Sequence, residues 1–179
     1  INFNWEKIPE WSNEGFFKLF NRKLIGTTPS KLNMSNREFS IIIISSSLGR
    51  IEDKNNPVAL KIRGNQNIAI SINIPNDNNN ITIDFGDKKY LVPQQIIASN
   101  KNVYTVSYNN DELKVYVDET LIKTFKGVPK IYFDDTNIEV NPYRDWNANL
   151  YSILIFNKEL SLNEVKFLNS YFKRNIIDN

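Results

Sequence analysis

The side chains of this chain that could perform acid–base or nucleophilic chemistry are its carboxylates and hydroxyls, because the sequence contains neither Cys nor His. Without these two residue types there is no thiol nucleophile, no Ser–His pair and no imidazole ligand for zinc. The absence of Cys also rules out disulfides and leaves the redox compartment open. The catalytic arrangement that remains to be checked is a pair of Asp or Glu residues, as a glycosidase needs.

The spacing of these acidic residues argues against a glycosidase. Two carboxylates that act on one glycosidic bond from a single strand stand two residues apart, since such positions share a face. No Asp or Glu has another acidic residue two positions away. Adjacent acidic pairs point to opposite faces if extended, and they mostly lie at predicted turns: Glu52/Asp53, Asp111/Glu112, Asp118/Glu119 and Asp134/Asp135. We therefore predict that the protein is not an enzyme.

A polar stretch, residues 134–146, holds the candidate ligand-binding side chains. A loop of this length inside a compact domain is often functional. Tyr143 and Trp146 could stack on the face of a sugar ring. Three further side chains could hydrogen-bond sugar hydroxyls: Asn141, Arg144 and Asp145. An alternative for Trp146 is that it caps the core, because it stands just before the last predicted strand.

The same stretch could hold calcium, which takes hard oxygen ligands from carboxylates and amides. The candidate ligands are Asp134, Asp135 and Asn137, and Asp145 could add a fourth. Their spacing matches no diagnostic calcium loop. The alternative is a hydrophilic loop that binds no metal.

The elements that must position this loop are predicted to be short strands. Apolar residues alternate with polar or small ones in residues 58–63, 68–74 and 81–85, which indicates antiparallel strands with one face buried. Residues 37–45 contain four consecutive Ile and predict a central strand that is covered on both faces. Residues 26–29 read as a turn. About ten such strands with frequent turns predict an all-β fold, a two-sheet antiparallel β-sandwich.

One helix is predicted at the end of the chain. Residues 150–156 form an almost uncharged run that indicates a buried last strand. Ser161 then stands three residues before Glu164, which is the spacing of a capping box. Helical periodicity over residues 161–173 places Val165 inward and leaves Asn169 and Lys173 pointing elsewhere. We expect this short helix to close the edge of the sheet.

Length and charge indicate one domain. The 179 residues are enough for a single core, preceded at residues 1–15 by an irregular arm or a short edge strand. The formal net charge of +2 comes from scattered Lys and Arg, which predicts no nucleic-acid partner. No apolar run approaches the ~18 residues of a membrane span. The chain opens on Ile1 instead of Met, so we expect a fragment of a longer protein.

Two segments carry a resemblance to a known family. Residues 103–125 read as a hairpin with a Tyr-Val-Asp-x turn, and residues 149–165 read as a strand followed by a Leu-Ser-x-x-Glu-Val sequence. Together they resemble the laminin-G-like branch of the concanavalin-A-like jelly rolls. Glu119 departs from the Gly that is usual at that turn. The resemblance implies a jelly roll, a fold that hosts lectins, glycosidases, receptor-binding modules and adhesion domains.

These observations lead to three hypotheses. The first is a non-catalytic recognition or adhesion module that binds a glycan or a surface protein through rim loops, as part of a larger protein on a cell or virion surface or outside the cell. The second is a structural assembly domain, such as a fibre head or capsid decoration, that forms a homo-oligomer and binds no sugar. The third is a degenerate glycosidase, which would need two carboxyls about 5–10 Å apart in one cleft.

Overall fold

The computed structural model describes residues 2–5, 17–18, 24–27, 38–48, 57–63, 69–75, 80–95, 100–130 and 137–177. The strands in these ranges are β1 Asn2–Trp5, β2 Phe17–Lys18, β3 Leu24–Thr27, β4 Glu38–Ser47, β5 Val58–Arg63, β6 Ala69–Asn73, β7 Asn80–Phe85, β8 Lys88–Gln95, β9 Lys101–Asn109, β10 Glu112–Val117, β11 Thr120–Lys126, β12 Asn137–Val140 and β13 Ala148–Phe156. One α-helix, α1, spans Leu162–Phe172, and a π-helical turn follows at Lys173–Ile177.

The strands form two antiparallel sheets that pack as a sandwich. The first sheet has seven strands in the order β1-β3-β12-β5-β6-β7-β8, and the second has six in the order β11-β10-β9-β4-β13-β2. Strands β5 to β8 pair consecutively in the first sheet and β9 to β11 in the second, whereas β12 pairs with β3 and β5, which lie far from it in sequence. The predicted all-β sandwich with one short C-terminal helix is confirmed.

The four consecutive Ile residues explain how β4 can lie at the centre of the six-stranded sheet. Ile41 and Ile43 face the seven-stranded sheet and join the main core, while Ile42 and Ile44 face the other way. All four are fully buried. Each such side chain contributes about 1.5–3 kcal/mol relative to its exposed state. The expectation of a central strand covered on both faces is confirmed.

Helix α1 covers the outer face of the six-stranded sheet instead of closing its edge. Val165 is fully buried, and Leu168 and Phe172 pack with it against Ile42 and Ile44. A strand with apolar residues on both faces must be shielded from water on both. The seven-stranded sheet shields one face of β4, and α1 shields the other. The predicted edge position is therefore wrong, although the capping box is present as expected, with Ser161 Oγ accepting from the Glu164 amide at 3.3 Å.

Several strands lie where none was predicted. β12 crosses the stretch that was expected to be a loop, and β3 includes Gly26, which was expected in a turn. The N-terminal arm contains the edge strand β1, so residues 2–5 follow the second of the two alternatives given for that arm. Helical structure continues to Ile177, beyond the predicted end at 173. Residues 131–133, an apolar and aromatic run that also predicts a strand, lie outside the described residues.

The turn between β10 and β11 shows how the chain accommodates Glu119. The left-handed backbone conformation falls on Asp118, whose φ is 52°, and not on Glu119. Asp tolerates this region better than most residues with a side chain. The second turn position can therefore carry Glu119 in place of the Gly that the resemblance implies there.

Candidate functional site

The loop of residues 141–146 leaves β12 of the seven-stranded sheet and enters β13 of the six-stranded sheet. The side chain of Asn141 closes this loop on itself. Its Oδ1 accepts from the Trp146 backbone amide at 2.8 Å, and its Nδ2 donates to the Trp146 carbonyl oxygen at 3.1 Å. The Asn141 amide in turn donates to the carbonyl oxygen of Ala59 on β5 at 2.9 Å. The loop is thus fixed at both ends.

Two of the residues predicted to contact a ligand are structural in this arrangement. Trp146 is 0% exposed and belongs to the main core, and Asn141 is also 0% exposed. Neither side chain is open to a sugar. For Trp146 the structure shows the alternative named above, in which the indole caps the core.

Tyr143 is the aromatic side chain that this loop presents to solvent, with 53% of it exposed. The ammonium of Lys61, on β5, donates to the Tyr143 hydroxyl oxygen at 3.0 Å. The same ammonium lies 5.5 Å from the centroid of the Tyr143 ring. Together these two distances place the ammonium beyond the hydroxyl edge of the ring, so the hydrogen bond is the contact that holds it. The ring therefore has a defined position.

Arg144 is exposed beside Tyr143 and adopts a left-handed backbone conformation with φ of 59°. Its amide donates to the carbonyl oxygen of Asn141 at 3.0 Å, which tightens the loop. A residue with a Cβ in this region costs about 1–2 kcal/mol. Asp145 is partly buried next to it. Among the predicted site residues whose side chains the structure describes, Tyr143 and Arg144 are the two that are exposed.

The neighbouring surface of the seven-stranded sheet is polar. Lys61 and Arg63 alternate along β5 with the core residues Leu60 and Ile62, so they face away from the core. Arg63 forms an ion pair with Glu139 on β12, with Nε at 3.3 Å from Oε1. A row of paired positions crosses this face from β12 to β8: Glu139, Lys61, Ser71, Asp84 and Lys89.

We call the group formed by Lys61, Arg63, Tyr143 and Arg144 the Tyr143 surface. Sequence reasoning found its two loop residues but missed its two β5 residues. Period-2 alternation does place Lys61 and Arg63 on the solvent face of a strand. It contains no signal for which loop lies above them, because β5 and the loop are about 80 residues apart in sequence.

The predicted calcium ligands stay a prediction. Asp134 and Asp135 lie outside the described residues, and for Asn137 the backbone alone is described. In the part of the chain that the structure describes, no three Asp or Glu side chains lie close enough to hold a metal ion.

Two carboxylates from distant parts of the chain do meet, but around a lysine. Glu159 Oε1 lies 2.6 Å from Lys114 Nζ, and Glu112 Oε2 lies 3.6 Å from the same atom. The hydrogen bond to Glu159 raises the pKa of Lys114, so the ammonium stays charged. Glu159 also accepts from the side chain of Asn109 at 2.7 Å. The ammonium occupies the position between the carboxylates where a glycosidase would need its substrate, so this group is an ion-pair cluster.

A second exposed surface lies on the outer side of α1. Phe167 is 71% exposed and Tyr171 is 53% exposed one helical turn further on. They line a shallow groove of about 420 Å³ together with Glu119, Lys166, Ser170, Arg174 and Asn175. No helix among the described residues is long and apolar enough to cross a bilayer.

No protein-family model matches the sequence, and no curated protein matches it either. Solved structures match it in fold. One is botulinum neurotoxin type C, which depends on interaction with two ganglioside molecules to enter cells; it is 17% identical with a TM-score of 0.74, over 95% of this chain and 46% of that one. The binding domain of Paraclostridial mosquitocidal protein 1 is 15% identical with a TM-score of 0.74, over 96% and 48%.

A sialidase of Trypanosoma rangeli is also similar, at 15% identity and a TM-score of 0.71, over 97% of this chain and 30% of the enzyme. The chain thus spans less than half the length of each of these three proteins. At such low identity the likeness establishes the fold alone.

Proposed function

We propose that this domain is a non-catalytic recognition module that binds a glycan, free or carried by a surface protein, at the Tyr143 surface. It would act as part of a longer protein that works outside the cell or on a cell or virion surface. The recognition would come from a fixed aromatic ring and the charged groups around it. No covalent chemistry is required of the chain.

The observation that carries this proposal is the way the loop is built. Asn141 and Trp146 are buried and hydrogen-bonded to each other, so Tyr143 is displayed on a frame that is already in place before a ligand arrives. A preorganised group loses little conformational entropy on binding. A half-exposed tyrosine offers an apolar face for the C–H groups of a sugar ring and a hydroxyl for its polar edge. The left-handed backbone at Arg144 is a local strain of the kind that clusters at binding sites.

The fold likeness agrees with this role without establishing it. Botulinum neurotoxin type C interacts with gangliosides, and the mosquitocidal protein is represented by its binding domain. The sialidase is an enzyme, but this chain aligns with 30% of its length. The ion-pair cluster around Lys114 and the lack of His and Cys support a module without catalysis.

A glycan array tests the proposal, with Tyr143→Ala as the variant and Tyr171→Ala as its matched control. The two tyrosines are equally exposed, at 53% each, but Tyr171 lies on the outer side of α1. We expect Tyr143→Ala to lower affinity for the captured glycans by about tenfold or more, because it removes a hot-spot aromatic. Tyr171→Ala should bind as the wild type does. Silence of the wild type on broad arrays, or equal losses in both variants, would refute the proposal.

Calcium forms a further part of the proposal. Asp134 and Asp135 precede β12 in sequence and Asn137 begins it, so an ion bound by them would sit on the same chain segment that leads into the loop. The array is therefore run with calcium and again with a chelator. A loss of signal on chelation that Asp134→Asn reproduces would support the ion, and identical signals in both buffers would argue against it.

The outer side of α1 favours a second candidate function, assembly with another protein surface. Exposing Phe167 to water forgoes most of the roughly 1.5–3 kcal/mol that burial of such a side chain provides. Leu162 and Tyr171 are exposed on the same helix. Sedimentation of the wild type and of Phe167→Ser tests this function. A dimer or larger species that dissociates to monomer in Phe167→Ser would support assembly. A wild-type monomer at all concentrations would count against self-association.

A further inference from the structure

Two hydrogen-bond donors converge at the Tyr143 surface. The Lys61 ammonium has three N–H groups, and one of them donates to the Tyr143 oxygen at 3.0 Å. The Tyr143 oxygen acts as the acceptor in that bond, so its own hydrogen is left to donate outward. An ammonium and a hydroxyl side by side can address two oxygens of one carboxylate or sulfate group.

The charged side chains around these donors differ in the partners that they contact. The carboxylate of Glu139 is paired with Arg63, and Nη2 of Arg63 lies 3.5 Å from Oε2 in addition to the shorter contact. Asp145 is partly buried in the loop. The hydrogen-bond partner of Lys61 is a neutral phenol, and Arg144 is exposed close by in sequence to Tyr143. Lys61 thus donates to an uncharged partner, whereas Arg63 is paired with a carboxylate.

We infer that the Tyr143 surface is selective for acidic sugars, and that the carboxylate or sulfate of the sugar accepts hydrogen bonds from both Lys61 Nζ and the Tyr143 hydroxyl. The inference rests on the proposed function and deepens it. Hydrogen bonds in which one partner is charged are shorter and about twice as strong as neutral ones. The ammonium is hydrogen-bonded to the Tyr143 oxygen before binding, so the acidic group meets a donor pair that is already positioned. A neutral sugar would gain the stacking contact without this pair.

The same donor pair could bind an anion that is not part of a sugar. Inorganic sulfate would use the charge alone, and an acidic sugar would use the charge and the ring together. The two sources are separated by measuring sulfate, lactose and sialyllactose side by side on the same protein. Affinity for sialyllactose above that for either of the other two is the expected order.

The test is a titration of these three ligands into the wild-type chain, Lys61→Gln, Tyr143→Phe and the control Lys89→Gln, followed by NMR or calorimetry. Lys61→Gln keeps most of the side-chain length and removes the charge. Lys89 lies in the same cross-strand row but at the far edge of the sheet, where it pairs with Asp84 at 3.7 Å. We expect Lys61→Gln to weaken sialyllactose by about tenfold and to leave lactose nearly unchanged. Tyr143→Phe should weaken sialyllactose by a few fold, and Lys89→Gln should match the wild type.

The outcomes separate the inference from the proposed function. Equal affinity for lactose and sialyllactose, with both lost in Tyr143→Ala, would overturn the acidic selectivity and leave glycan binding in place. Binding of sulfate as tight as that of sialyllactose would overturn the inference by making the sugar irrelevant. No binding of sialyllactose would overturn the inference, and the absence of any signal on the broad glycan array would overturn the proposed function as well. A selective loss in Lys61→Gln, at an unchanged unfolding midpoint, would support both.

Discussion

The side-chain amide of Asn169 donates a hydrogen bond to the backbone carbonyl oxygen of Asp118 and thereby joins α1 to the turn between β10 and β11. The carbonyl oxygen of the same side chain accepts from the Thr105 hydroxyl on β9 at 3.0 Å. Asp118 Oδ2 accepts from Lys173 at 3.0 Å, and Asp118 Oδ1 accepts from the Val103 amide at 3.0 Å. One buried amide and one turn carboxylate therefore position the helix over the six-stranded sheet.

Asn169→Ala should destabilise the protein by about 1–3 kcal/mol, because it deprives the buried Thr105 hydroxyl and the partly buried Asp118 carbonyl of their partner. The control is Asn163→Ala, which removes the same side chain from an exposed position on the same helix. Urea unfolding followed by circular dichroism measures both. Equal midpoints for the two variants would show that the buried amide has no special role.

Asn141 offers a second test, because its buried side chain and its left-handed backbone can be separated. Asn141→Ala should cost about 1–3 kcal/mol for the Trp146 backbone groups that it leaves unpaired, and about 1–2 kcal/mol more because Ala is strained at a φ of 49°. Asn141→Gly loses the same hydrogen bonds without the strain. We expect the order wild type, Gly, Ala in unfolding free energy. If Gly were no less stable than the wild type, the side-chain bonds would not be what holds the loop.

Acid should weaken the start of α1. The hydrogen bond from Lys158, with those from the Ser161 amide and hydroxyl, lowers the pKa of Glu164 from 4.5 to about 2. A carboxyl whose pKa is lower in the folded chain stabilises it above the unfolded pKa and loses that contribution as pH falls through the folded one. The stabilisation should therefore be complete above about pH 4.5 and fade towards pH 2.

Glu164→Gln isolates this effect, since Gln can still close the capping box but carries no charge. The unfolding midpoints of the two proteins should differ above pH 4.5 and converge towards pH 2. The exposed ion pair of Lys158 and Glu164 is screened by salt, so the difference between the two unfolding midpoints should shrink at high ionic strength. A constant difference across this pH range would contradict the assignment.

Lys114 and Glu159 should be coupled more strongly than an ordinary surface pair. Their side chains are 28% and 19% exposed and 2.6 Å apart, whereas Lys89 and Asp84 are 63% and 32% exposed at 3.7 Å. Double-mutant cycles to Ala should give about 1 kcal/mol for the first pair and less than about 0.5 kcal/mol for the second. The reverse order would mean that burial does not govern these pairs.

The regular parts of the fold could be predicted from sequence because they repeat a local pattern. Alternation of Ile with small or polar residues marks β6 and β7, and Ser161 with Glu164 marks the start of α1. β12 was missed since its four residues contain just two apolar positions, Ile138 and Val140, in polar surroundings. What makes it a strand is pairing with β3 and β5, which no local window contains.

The side chains of the candidate site were harder to predict, because a loop without periodicity does not say which of its aromatics faces solvent. Tyr143 and Trp146 look alike in sequence, and the structure exposes one and buries the other. Asn169 was expected to point away from the core as a polar residue. It stands one turn after Val165 on the inward face, and its burial is possible because Thr105 and Asp118 satisfy its amide.

The position of α1 has a consequence for how the domain could be used. The helix shields the sheet that contains β4, while Lys61 and Tyr143 belong to the surface of the opposite sheet. A neighbouring body seated against Phe167 would leave Tyr143 unobstructed. One side of the domain can thus contact a neighbouring protein through α1 while the Tyr143 surface on the opposite sheet stays accessible. An adaptor between a carrier and a target needs two such separate surfaces.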